Sequence, residues 1–220
     1  MSSSSAATLR EAATGAAATS AQDMQQALPA LRKRFTEGKQ SLIERFRAAR
    51  ATAPAASALV RALARHADST LAELWQLAGM PAEAALLAVG GYGRAELFPY
   101  SDVDVLLLLP QDGADAALRP AIEAFVTACW DIGLEIGSSV RTVAECVAEA
   151  QRDVTVQTAL LEARPLCGSR RLHAEFRSAT AAVLDARAFL RAKTLEMLQR
   201  HQKYEDTPYA LEPNCKESPG

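Results

Sequence analysis

The stretch AALLAVGGYGRAELFPYSDVDVLLLL, residues 84–109, decides how this chain folds. Ala84 to Val89 runs without polar interruption and stops at Gly90 and Gly91, the pattern of a short buried strand. Val103 to Leu109 is a second such run, closed by Pro110 and the turn-like Gln111-Asp112-Gly113. Between the two strands lie a glycine-rich turn, Gly90-Gly91-Tyr92-Gly93-Arg94, and two carboxylates, Asp102 and Asp104.

Those two features carry chemistry. Glycines at the end of a strand let backbone N–H groups approach an anion that side chains would crowd away, which suits a triphosphate. Arg94, directly after Gly93, is placed either to contact phosphate or to stand as a solvated loop charge. Asp102 and Asp104, at i and i+2 on a strand start, project from the same face. Adjacent carboxylates repel unless a divalent cation neutralises them, and hard oxygen ligands select Mg2+ or Mn2+ over Zn2+. Taken singly, a glycine cluster reads as a tight turn and Asp-x-Asp as a capping or loop feature. Together they imply in-line attack on a nucleotide phosphorus.

Upstream, residues 1–26 are rich in Ser, Ala and Thr and read as a flexible leader with no secretory signal. Residues 27–82 read as packing helices. Leu31, Phe35, Leu42, Ile43 and Phe46 mark a first helical face, interrupted near Gly38, and Ser57 to Ala78 a second helix closed by Gly79 and Pro81. Downstream, helical spacing returns over Ala116 to Trp130, and Gly133 to Thr142 alternates as a third strand. Val143 to Ala150, Val154 to Ala163 and Leu172 to Tyr204 read as helices, and Asp206 to Gly220 as a proline-punctuated loop. The expected organisation is therefore a core over residues 83–168 and a helical segment with a loop over 169–220. The fold class is α/β, a small mixed sheet between N-terminal helices and a helical C-terminal part.

Composition narrows the function. The chain has 220 residues and a net charge of -2, which offers no overall positive field to hold a nucleic-acid backbone. No apolar run approaches the about 20 residues of a membrane span, so a cytoplasmic protein is expected. Cys129, Cys146, Cys167 and Cys215 form no C-x-x-C pair and read as buried or idle thiols. His66, His173 and His201 are dispersed, and a lone histidine such as His66 reads as a solvated or core residue.

GGYGRAELFPYSDVDVLLL resembles the glycine-loop and Asp-x-Asp signature of the DNA polymerase beta-like nucleotidyltransferase superfamily. With GLEIGSSVRT (133–142), DVTVQTALLEARPLCG (153–168), RHQKY (200–204) and LEPNCKESPG (211–220), the chain is similar to one family within it, the bacterial bifunctional uridylyltransferase/uridylyl-removing enzymes. The resemblance implies transfer of UMP from UTP to a tyrosine of the nitrogen-signalling protein PII, releasing pyrophosphate with Mg2+. It places the triphosphate on Gly90 and Gly91 and the metal on Asp102 and Asp104. It also implies a third carboxylate from a later strand that helps deprotonate the attacking hydroxyl. Glu135 is the candidate, against a reading as surface charge, and Asp153 is the reserve, against a reading as an N-cap.

The family's hydrolytic histidine/aspartate site and glutamine-sensing domains have no counterpart in these residues. The ending at Ser218-Pro219-Gly220, inside a loop motif, leads us to expect a fragment carrying only the transferase chemistry. Two alternatives stay open: a catalytically silent module that binds nucleotide or PII, and a nucleotidyltransferase using another nucleoside triphosphate.

Overall fold

A computed structural model describes residues 3–110 and 115–203 of the chain. The elements follow the order α1 (Ser3–Ala48), α2 (Ala53–Leu77), β1 (Ala85–Ala88), α3 (Gly90–Gly93), β2 (Val103–Leu109), α4 (Asp115–Asp131), β3 (Ile136–Thr142), α5 (Val143–Arg152), α6 (Val154–Leu161), β4 (Arg164–Gly168), α7 (Arg170–Ala182) and α8 (Ala186–Lys203). The strands form one mixed sheet in the order β3-β2-β1-β4. β1 runs antiparallel to both of its neighbours, and β2 runs parallel to β3. A parallel pair needs a crossover, which α4 supplies.

The sheet is sandwiched, as the apolar runs of β1 and β2 require. Residues such as Leu86, Val103, Val105 and Leu107 face a core shared with α1, α2 and α4. Leu87, Leu106 and Leu108 face a second core with Val143 and Cys146 of α5, Leu160 of α6, and Leu172 and Phe176 of α7. The α/β class with flanking helical parts is thus the observed one.

Four expectations change. The segment expected to be a flexible leader is helical from Ser3 in this structure, in keeping with the high helix propensity of its alanines. Gly38 does not break α1; it lets α2 come close. A Cβ there would lie 2.4 Å from the His66 ring, which stacks on Phe35 at 5.3 Å and donates from Nε2 to the Phe35 carbonyl at 2.9 Å. His66 is therefore a packing histidine. The span 172–204 holds two helices, because the Asp185 carboxylate accepts from the backbone N–H groups of Arg187 and Ala188 and starts α8 afresh. Finally, β4 is a strand that periodicity missed. It carries Pro165, tolerated at a sheet edge where the pairing with β1 shifts register between Leu86 and Leu87.

Cys129 and Cys146 are buried and Cys167 half-buried, all three as free thiols. Burial pushes Cys129 up to about 12, Cys146 to about 11 and Cys167 to about 12. They are structural thiols, and Cys215 lies outside the described residues, as does the expected loop from Asp206. Among the described residues no helix is long and apolar enough to cross a membrane.

Candidate functional site

The chain leaves β1 at Val89, takes a positive φ of 57° at Gly90 and makes the single helical turn α3. The turn is closed by Gly93 N–H donating to the Val89 carbonyl at 3.1 Å and by Ala95 N–H donating to that of Tyr92 at 3.0 Å. It is then clamped from two distant elements. Tyr92 is buried and its hydroxyl donates to Asp68 of α2, and burial together with that carboxylate raises the phenol well above its ordinary range. Arg164, the first residue of β4, binds Asp68 through both terminal nitrogens at 2.9 and 3.1 Å. The same guanidinium donates to the carbonyls of Gly93 and Tyr92 at 3.3 Å each and lies 5.4 Å from the centre of the Tyr92 ring. A half-buried bidentate pair that also satisfies two carbonyls fixes geometry as well as charge.

Asp102 and Asp104 stand at the head of β2, both exposed, while Val103 between them is buried in the core beneath α1, α2 and α4. Asp104 is registered against Gly137 of β3. A Cβ at Gly137 would lie 2.5 Å from Asp104 Oδ1, and one at Gly90 would lie 3.6 Å from Oδ2. The Asp104 carboxylate thus occupies a notch between two glycines, one on the neighbouring strand and one at the entry to the glycine turn. Its donor set is hard oxygen, and the residues present fit a divalent cation that completes its shell with phosphate oxygens and water.

The other expected residues divide. Gly90 and Gly91 lie in the turn beside this notch. Gly91 is exposed, and a Cβ there would meet only the Arg94 guanidinium, at an ordinary 3.5 Å. Gly91→Ala is therefore expected to leave the thermal midpoint within about 2 °C and to weaken UTP binding at least severalfold, as calorimetric titration would show. Normal UTP affinity in that variant would remove Gly91 from the triphosphate site.

Arg94 is exposed at the end of the turn, where its guanidinium pairs with Glu162 at 2.6 Å and approaches Glu96 at 3.8 Å. Glu135 lies one residue before β3, exposed, with its carbonyl accepting from Val103 N–H at 2.9 Å. Among the described residues no three His, Cys, Asp or Glu side chains gather where they could hold a metal ion, so Glu135 does not join the aspartates in such a cluster. Asp153 is the N-cap of α6, accepting from Thr155 N–H at 2.7 Å. His66, His173 and His201 stand on α2, α7 and α8 and join no such cluster.

Sequence reading missed Gly137, Asp68, Glu162 and Arg164. A glycine inside the alternating run 133–142 was the one signal for the first, since such a residue marks close approach by a neighbour. Nothing local marked the others, which meet the turn only through the tertiary fold.

Comparison with known proteins agrees with this geometry. A family model described as "Putative nucleotidyltransferase DUF294" matches residues 33–139, spanning the glycine turn and both aspartates, and one described as "GlnD PII-uridylyltransferase" matches residues 188–220. Among curated relatives, a bifunctional uridylyltransferase/uridylyl-removing enzyme of Burkholderia orbicola (strain AU 1054) is 57% identical over 189 residues, 86% of this chain and 21% of the relative. Enzymes of the same name from Cupriavidus pinatubonensis and Ralstonia nicotianae are each 62% identical over 162 residues, 74% of this chain and 18% and 19% of theirs. The chain spans about a fifth of the length of these relatives. Over that fifth, with its glycine turn and Asp-x-Asp pair in place, the chain matches a nucleotidyltransferase portion of the bifunctional uridylyltransferase/uridylyl-removing enzymes.

Proposed function

We propose that this chain carries a nucleotidyl-transfer site that moves UMP from UTP to a tyrosine hydroxyl of PII and releases pyrophosphate. The observation that carries the reading is the Asp104 carboxylate held between Gly137 and Gly90, at the mouth of the glycine turn. The α3 turn, held in shape by Tyr92, Asp68 and Arg164, receives the β- and γ-phosphates on backbone N–H groups. Asp102 and Asp104 hold Mg2+, which when bound supplies charge neutralisation at the reacting phosphate. The tyrosine oxygen forms the new bond to the α-phosphorus as the bond to the pyrophosphate oxygen breaks, and the hydroxyl proton leaves to a carboxylate of the pair. Positioning and charge do the catalysis.

The test is the mass gain of purified PII incubated with this chain, UTP and Mg2+, with ATP, CTP and GTP in competition. A metal-dependent gain of one UMP supports the reading, and preference for another triphosphate changes the donor. The pairing of Arg94 with Glu162 favours a second reading, a module that binds UTP or PII without transfer. Binding of UTP with metal and no mass gain, where a full-length relative is active, would select it.

A further inference from the structure

At the end of the sheet that holds the aspartates, a cavity of about 140 Å³ opens between α1, α2, the loop after the glycine turn and the approach to β3. Lys39, His66, Phe98, Tyr100, Leu134 and Glu135 are among its lining residues. Its rim is unusual for a loop so close to a charged site. Phe98 is 60% exposed and Tyr100 83% exposed, although both rings are large and one is wholly apolar. Among the described residues neither Lys39 nor Glu135 takes part in an ion pair. Aromatic rings left in water beside a concave, charge-bearing surface are characteristic of a protein-binding site.

Strand order says which partner belongs there. In an in-line displacement the leaving pyrophosphate and the entering hydroxyl lie on opposite sides of the phosphorus. The glycine turn follows β1, on one side of β2, and β3 lies on the other. Because β1 is antiparallel to β2 and β2 is parallel to β3, the end of β1 and the starts of β2 and β3 share one end of the sheet. With the outer phosphates on the turn and the metal on Asp102 and Asp104, the acceptor hydroxyl must arrive over the start of β3. That is where Leu134, Glu135 and the cavity are.

We propose that the acceptor protein docks over the start of β3, using Phe98 and Tyr100 as its aromatic anchors. The cavity behind them takes a side chain that flanks the modified tyrosine. The inference rests on the transfer reading for the direction of approach, and on the exposed rings and the cavity for the place.

The experiment measures the affinity of fluorescently labelled PII for the full 220-residue chain, with a non-hydrolysable UTP analogue and Mg2+ present, and the affinity for the analogue separately. In the double variant Phe98→Ala, Tyr100→Ala the dissociation constant for PII is expected to rise about tenfold or more, as for loss of paired aromatic anchors, with analogue affinity within about twofold. Tyr100→Ala alone, at the more exposed position, is expected to show part of the same loss and guards against misfolding of the double variant. An unchanged PII affinity, no PII binding by the unaltered chain, or a loss confined to the UTP analogue would each overturn the proposal, the last by making the rings a base platform. The transfer assay stands apart: ring-dependent PII binding without UMP transfer would remove the transfer reading and keep the docking surface.

Discussion

Asp104→Asn is expected to lower UMP transfer by roughly two to four orders of magnitude while the thermal midpoint stays within about 2 °C of the unaltered chain. The substitution keeps the shape of the side chain, so the notch between Gly137 and Gly90 stays filled. What it removes is one of the two charges that would hold the cation in the proposed site. A metal contributes several kcal/mol to charge stabilisation in phosphoryl transfer, and each 1.4 kcal/mol is about tenfold in rate. Asp104 is exposed at the head of β2, outside both cores, which is why stability should be insensitive. Mass-spectrometric transfer kinetics on PII with a parallel melt separate the two quantities. Full activity in the variant would remove Asp104 from the site, and a collapse of the melt would make its role structural.

Gly93→Ala should do the reverse, acting on the fold first. A Cβ at this position would lie 2.1 Å from the carbonyl oxygen of Glu162, 2.9 Å from its carbonyl carbon and 3.3 Å from the carbonyl oxygen of Ala88. All three are backbone atoms of the segments that flank the turn, and none can swing aside as a flexible side chain would. Overpacking of this kind destabilises by about 1–3 kcal/mol or more, which in a chain of this size lowers the thermal midpoint by about 2–12 °C. The contrast with Gly91, where a methyl group has room, is the informative part. Two glycines in one turn thus differ in their surroundings, one packed against backbone and the other open to solvent. A melt unchanged by Gly93→Ala would mean that the turn and the 162–164 segment are not packed as described.

The parts of the fold legible in the sequence were those with a local cause. The apolar runs of β1 and β2, the glycines that end one and the aspartates that begin the other each read from neighbouring residues. The strand Arg164–Gly168 had no such mark, since an initial arginine, a proline and a terminal glycine disguise it, and its pairing with β1 is what makes it a strand. Gly38 reads locally as a helix breaker and becomes a contact point only because His66 packs over it. The site divides the same way. The expectation for Asp102, Asp104, Gly90 and Gly91 rests on residue type and spacing, whereas the grip of Arg164 and Asp68 on the turn joins residues 96 positions apart. Arg94 shows the same limit, for its proximity to the glycines in sequence gave no sign of Glu162, with which it pairs in space.

That long-range grip also bears on the order in which the molecule can assemble. The α1–α2 pair and the β1–β2 ribbon draw on residues close along the chain, and contacts of that kind close early and fast. The glycine turn sits inside the ribbon, yet two of its carbonyls find their donor on the last strand of the sheet. Closing so long a loop carries an entropic penalty that only the finished sheet edge offsets. The glycine turn is therefore built early in outline and becomes rigid late, when β4 has reached its place.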